Sequence, residues 1–95
     1  MVCNTSSNNQ TTGVTWRRNG KILSDGGKIN HGIVDTDNIS IVGDPLIGEY
    51  NLNISHLTTN NFDTYTCEAV IEGQTYEREF ILKKGKLMHT AHYQI

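Results

Sequence analysis

Alternating apolar and polar residues mark short strands along most of the chain. The clearest run is Tyr50-Asn51-Leu52-Asn53-Ile54. Period-two alternation there puts Tyr50, Leu52 and Ile54 inward and leaves Asn51 and Asn53 to water. The same reading marks residues 14–17, with Val14 and Trp16 inward and Thr15 and Arg17 outward. It marks residues 38–42, with Ile39 and Ile41 inward, and residues 64–71, with Tyr65, Cys67 and Ala69 inward. A last strand runs from about 75 to 83 with Phe80 and Leu82 inward, and residues 1–5 read as a strand stub with Cys3 inward. No segment sustains a 3.6-residue apolar stripe, so the expected class is all-β.

The breaks between these runs carry turn chemistry. Asn19-Gly20 is a two-residue hairpin signal that leads into Lys21-Ile22-Leu23. Residues 6–13 and 24–37 are polar, and the second stretch is expected to be a mobile connection. Gly43-Asp44-Pro45 and Glu72-Gly73-Gln74 are turns, and Leu57 is expected to pack beneath the corner before residue 64. Residues 84–95 lose the strand pattern and read as a linker or tail after a domain spanning 1–83.

Composition narrows the functional classes. Ninety-five residues make one domain, with a core small enough that a covalent staple matters. The two cysteines leave two readings open, a bridge or a pair of buried thiols. A net charge of −2 with no basic stripe argues against nucleic acid. No apolar run approaches the ~20 residues that span a bilayer, so no direct membrane insertion of this segment is expected. The first residues lack the charged and apolar regions of a signal peptide. His89 and His92 would meet at one metal only on a helix, with no third ligand nearby, and His31 and His56 are isolated. Nothing resembles a nucleophile elbow or a phosphate cradle. No catalytic residue, metal site or cofactor is expected.

Four residues carry a resemblance. Cys3 is followed 13 positions later by Trp16, the only tryptophan, and Tyr65 stands two before Cys67. With Leu52-x-Ile54-x-x-Leu57 and Asn61-x-Asp63-x-Tyr65-x-Cys67, this resembles variable- and intermediate-set immunoglobulin domains. The resemblance implies a two-sheet antiparallel sandwich of strands B, C, C′, D, E, F and G, a Cys3–Cys67 disulfide, and a core pin of Trp16 and Tyr65. The 64-position separation of the cysteines leaves room for C′ and a possible C″ strand. Cys3 lies so near the first residue that strand A is missing, and the chain reads as a truncated domain. The family has Asp where Asn61 stands, and no Arg near residue 38 would meet it. A neutral hydrogen bond is therefore expected there in place of a salt bridge. A narrower likeness covers about a fifth of the chain. Ile39-Ser40-Ile41-Val42-Gly43-Asp44-Pro45 and Gly48-Glu49-Tyr50-Asn51-Leu52-Asn53-Ile54 are similar to the first domain of the roughest, kirrel and nephrin-like adhesion receptors.

The resemblance implies an extracellular recognition module, part of a larger membrane or secreted protein, serving cell adhesion or receptor–ligand binding. Its partner would be another cell-surface or extracellular protein, including an immunoglobulin-domain receptor. The binding face would show Thr15, Arg17, Ile22, Thr66, Glu68, Val70, Glu77 and Glu79. Asn-x-Ser/Thr sequons stand at Asn4, Asn9, Asn38 and Asn53, and Asn38 and Asn53 are expected to point outward. Three alternatives stay open: a structural spacer domain, an innate-immune recognition domain, and an intracellular muscle-type domain with reduced cysteines.

Overall fold

The computed structural model describes residues 1–5 and 13–83 and the backbone of residues 86–90. Among the described residues, eight strands form in chain order: β1 (Val14–Arg18), β2 (Lys21–Asp25), β3 (Lys28–Ile29), β4 (Ile39–Val42), β5 (Asn51–Ile54), β6 (Asp63–Ile71), β7 (Gln74–Lys83) and β8 (Lys86–Thr90). The larger sheet has the order β3-β2-β1-β6-β7-β8, and β4-β5 form the smaller one. All named pairings are antiparallel. No α-helix occurs among the described residues; two short 3₁₀ turns, Pro45–Ile47 and Thr59–Asn61, round the corners.

Met1 to Thr5 lies along β5 as the expected stub. Leu52 N–H donates to Met1 O at 2.9 Å, Tyr50 N–H to Cys3 O at 2.9 Å, and Thr5 N–H to Gly48 O at 2.8 Å. One rung of this ladder is substituted. In a regular antiparallel pair Cys3 N–H would donate to Tyr50 O. Here the Trp16 indole N–H takes that carbonyl at 2.7 Å, and Cys3 N–H turns to Asn51 Oδ1 at 3.0 Å. Asn51 is therefore half-buried and structural, where simple alternation put it in water.

The core lies between the two sheets. Val14, Trp16, Leu23, Tyr65, Cys67, Ala69 and Phe80 come from the larger sheet, and Cys3, Ile39 and Leu52 from the smaller one and its edge. Trp16 pairs in register with Cys67, stands 5.8 Å from the Phe80 ring, and is fully buried. Cys3 and Cys67 are joined by a disulfide whose Cα atoms are 6.3 Å apart. Of the two readings of the cysteines, the bridge is the one the structure holds.

Turn chemistry works as the residues require. Asn19 and Gly20 sit at φ 51° and 80°, and Glu72 and Gly73 at φ 52° and 79°. Both are two-residue hairpins whose left-handed backbone matches strand twist and favours glycine at the second position.

The structure also departs from the sequence reading over residues 24–37, at Leu57 and over residues 84–95. Residues 24–37 are not one open connection: Gly26-Gly27 turns β2 into β3, and Thr36 is buried. Leu57 is half-exposed rather than packed under the corner, where Asn61 and Tyr65 are buried. Residues 84–95 are not all linker or tail. Lys83 pairs with Lys86 and Phe80 with His89, so β8 closes a further hairpin on β7. The reason is main-chain chemistry. An edge strand offers a row of unpaired N–H and C=O groups to any extended segment a short turn brings alongside. Such pairing needs no alternation of side chains.

The bridge closes a 64-residue separation, which the loop-entropy model values at about 4 kcal/mol. Reduction, or the double change Cys3→Ala/Cys67→Ala, should lower unfolding free energy by roughly that amount in urea titrations. A loss below ~1 kcal/mol would show that the sheets hold together without the bridge.

Candidate functional site

The outward side of the larger sheet gathers the residues that the sequence singled out. Register places Ile22, Arg17, Thr66 and Glu79 in one row across β2, β1, β6 and β7. Thr15, Glu68 and Glu77 form the next row, and Val70 lies beyond, opposite Thr75. All eight expected face residues thus share one surface, because their inward neighbours Val14, Trp16, Tyr65, Cys67, Ala69 and Phe80 are fixed in the core. Ile22 and Val70 remain 42% and 39% exposed.

Asp25 belongs to this face and was missed. Arg17 pairs with Ile22 but Trp16 pairs with Ser24, so Leu23 is an extra residue, a β-bulge. The bulge buries Leu23 and Ser24 in succession and turns Asp25 outward beside Thr15. Alternation counted from Ile22 puts Asp25 inside, and nothing in the local sequence announces the bulge.

The charges on this face are mixed. Arg17 Nη2 lies 3.7 Å from Glu68 Oε1, both side chains partly exposed. Such a pair contributes at most about 1 kcal/mol. Glu68 also stands directly opposite Glu77, an arrangement that costs cross-strand stability. Among the described residues the face carries Asp25, Glu68, Glu77 and Glu79 together with Arg17, with Lys28 directly opposite Asp25 on β3 and Lys83 further along β7.

Arg18, the next residue along β1, turns the other way. It is 8% exposed, and its guanidinium donates to Asp35 O at 3.0 Å and to Val34 O. This clamps the loop before β4 against the end of the sheet and leaves a cleft of about 350 Å³, lined partly by Lys21, Asn60 and Asp63. Period-two counting from Trp16 points Arg18 inward. Its partners, however, are main-chain carbonyls, which have no side-chain signature to read.

The corner below is neutral, as expected from Asn61. Asn61 is 1% exposed, and its Oδ1 accepts from Asn38 Nδ2 at 2.9 Å, Thr58 N–H at 3.0 Å and Thr58 Oγ1 at 3.2 Å. Asn61 Nδ2 donates back to Asn38 Oδ1 at 3.4 Å. Tyr65 O–H donates to Asn61 O at 2.6 Å. Asn38 therefore points into the corner, which corrects its expected outward placement. Asn53 is exposed on the outer side of β5 as expected. Asn4 makes an isolated bridge with Glu49, and its Oδ1 is buried without a partner.

Asn9, His92 and the side chain of His89 lie outside the described residues. His31 Nδ1 is 3.2 Å from Thr36 Oγ1, and His56 adopts a left-handed backbone at φ 53°. No group of three His, Cys, Asp or Glu placed to hold a metal occurs among the described residues. No described helix is long and apolar enough to cross a membrane.

Burial pushes the Tyr65 hydroxyl above the ordinary tyrosine value near 10, against the pull of the Arg18 guanidinium. The folded state thus keeps the proton that the unfolded chain releases, so stability falls as pH rises past 10. Tyr65→Phe should cost about 1–2 kcal/mol at pH 7, where Asn61 O loses its donor. Its denaturation midpoint should then fall less than that of the unmodified chain between pH 9.5 and 11.5 (about two units spanning the tyrosine range). Parallel slopes would refute a buried neutral phenol. No family model, curated protein or solved structure matches the chain, so its functional reading rests on the geometry of its own residues.

Proposed function

We propose that the chain is an immunoglobulin-like domain that recognises another extracellular or cell-surface protein through the outward face of β2, β1, β6 and β7. One observation carries the reading. A single sheet surface, held rigid from behind by the disulfide, Trp16 and Tyr65, presents Ile22 and Val70 among Thr15, Arg17, Thr66, Glu68, Glu77 and Glu79. Apolar contact points beside polar and charged groups make a workable interface, and rigid strands reduce the ordering cost of binding.

The immunoglobulin assignment is supported by the joint placement of three features. They are a disulfide between the sheets, an indole in register with one of its cysteines, and a tyrosine hydroxyl bonded four residues upstream. An extracellular setting is supported by the bridge, since disulfides persist in oxidising compartments. Charges of both signs on this face suit a partner surface of complementary pattern, with association that weakens as salt rises.

Arg17→Glu and Glu68→Arg test the face. Multimerised domain, checked for fold by circular dichroism and melting temperature, is titrated onto cells or a candidate ectodomain. Each single reversal should weaken binding at least about tenfold, some 1.4 kcal/mol. Unchanged binding by folded variants would move recognition elsewhere and favour a spacer role.

A further inference from the structure

We propose that Asn53 is the N-glycan acceptor of this domain, that Asn38 is reserved as a structural amide, and that the Asn53 sugar covers an apolar strip on the smaller sheet. This rests on the extracellular reading above, because N-glycans are added in the secretory pathway.

The outer face of the smaller sheet is organised around Asn53. Ser40 pairs with Asn53 and Val42 with Asn51. On the other side of β5, Met1 and Cys3 bond to Leu52 and Tyr50, which sets Val2 beside Asn51. Val42 is 45% exposed and Val2 55% exposed. The Asn51 side-chain Oδ1 between them already accepts from Cys3 N–H. Asn53 is diagonal to both valines, a spacing of roughly 7–8 Å that a first sugar ring spans. Its carboxamide makes no hydrogen bond among the described residues, and the residue is exposed.

Asn38 is the reverse case. Its Nδ2 donates to Asn61 Oδ1 at 2.9 Å and reaches His56 O at 3.5 Å, so both hydrogens are engaged. A sugar replaces one of them and must be accommodated beside buried Asn61. Asn4 has its Oδ1 enclosed. Of the three described acceptors, only Asn53 is unencumbered.

The transfer is redox-neutral. The anomeric carbon of a lipid-pyrophosphate-linked oligosaccharide leaves its phosphate oxygen and bonds to Asn53 Nδ2. The amide gives one proton to the transferase base, and the lipid pyrophosphate departs. Because transfer precedes folding, every sequon meets the enzyme. Selection between Asn38 and Asn53 then falls to folding, since a chain carrying sugar on Asn38 closes the Asn61 corner poorly.

The test is secretion of the whole chain behind a cleavable leader from a glycosylating host, followed by glycopeptide mapping of the folded, bridged product. A supplied leader makes site occupancy independent of where the native protein resides. The result therefore fails or succeeds separately from the partner-binding test. The expected result is sugar on Asn53 in most molecules and none on Asn38. Enzymatic removal of the sugar, or Asn53→Gln, should raise binding of an apolar dye severalfold with little change in melting temperature. Sugar on Asn38 in folded protein, a bare Asn53, or dye binding unchanged by sugar removal would each overturn the proposal.

Discussion

The carbonyl oxygen of Tyr50 accepts the Trp16 indole N–H at 2.7 Å, and this bond ties the two sheets together beside the disulfide. Its effects spread outward. Because the indole occupies that carbonyl, Cys3 N–H must find another acceptor, and Asn51 supplies one from the outer side of β5. Cys3 is thereby held where it bridges to Cys67, whose own rung on β6 pairs with Trp16. A buried polar group left without a partner costs about 1–3 kcal/mol. The Asn51 contact is therefore a requirement of the tryptophan's position. Indole, carbonyl, amide and disulfide form one unit, each fixing the next.

That unit also determines which surface is available. In a strand each inward side chain commits its neighbours to the opposite face. Trp16, Tyr65, Cys67 and Phe80 are buried, so Thr15, Arg17, Thr66, Glu68 and Glu79 are turned to the other side. The face is thus a geometric consequence of the core, and its composition is free to serve recognition. The opposed Glu68 and Glu77 fit this view, since that pairing contributes nothing to the fold. The two sides of the domain differ in character. The larger sheet carries the mixed-charge face, and the smaller sheet carries Asn53 and its apolar strip.

Much of this was legible in the sequence because it depends on period-two burial and on rare residue types. Tyr50, Leu52 and Ile54 announce a half-buried strand, and the lone tryptophan and two cysteines announce the pin. The hidden parts share one physical cause: they are main-chain events. The bulge at Leu23 shifts phase and brings Asp25 to the face without any change in hydrophobic pattern. Arg18 is buried because the carbonyls of Val34 and Asp35 receive it. β8 adds to the sheet through ladder bonds to β7. Asn38 and Asn53 look alike as sequons, and the Asn61 amide that engages Asn38 separates their surroundings.

The Trp16 indole N–H offers the most direct test of the claim that this bond holds the sheets together. Its solvent exchange, followed by NMR across a denaturant series, reports the free energy of the motion that breaks it. If the bond is integral to the two-sheet unit, that free energy equals the global unfolding free energy and falls with the same denaturant slope. Exchange through a smaller opening, insensitive to denaturant, would show that the indole lets go while the sheets stay packed. That result would contradict the account.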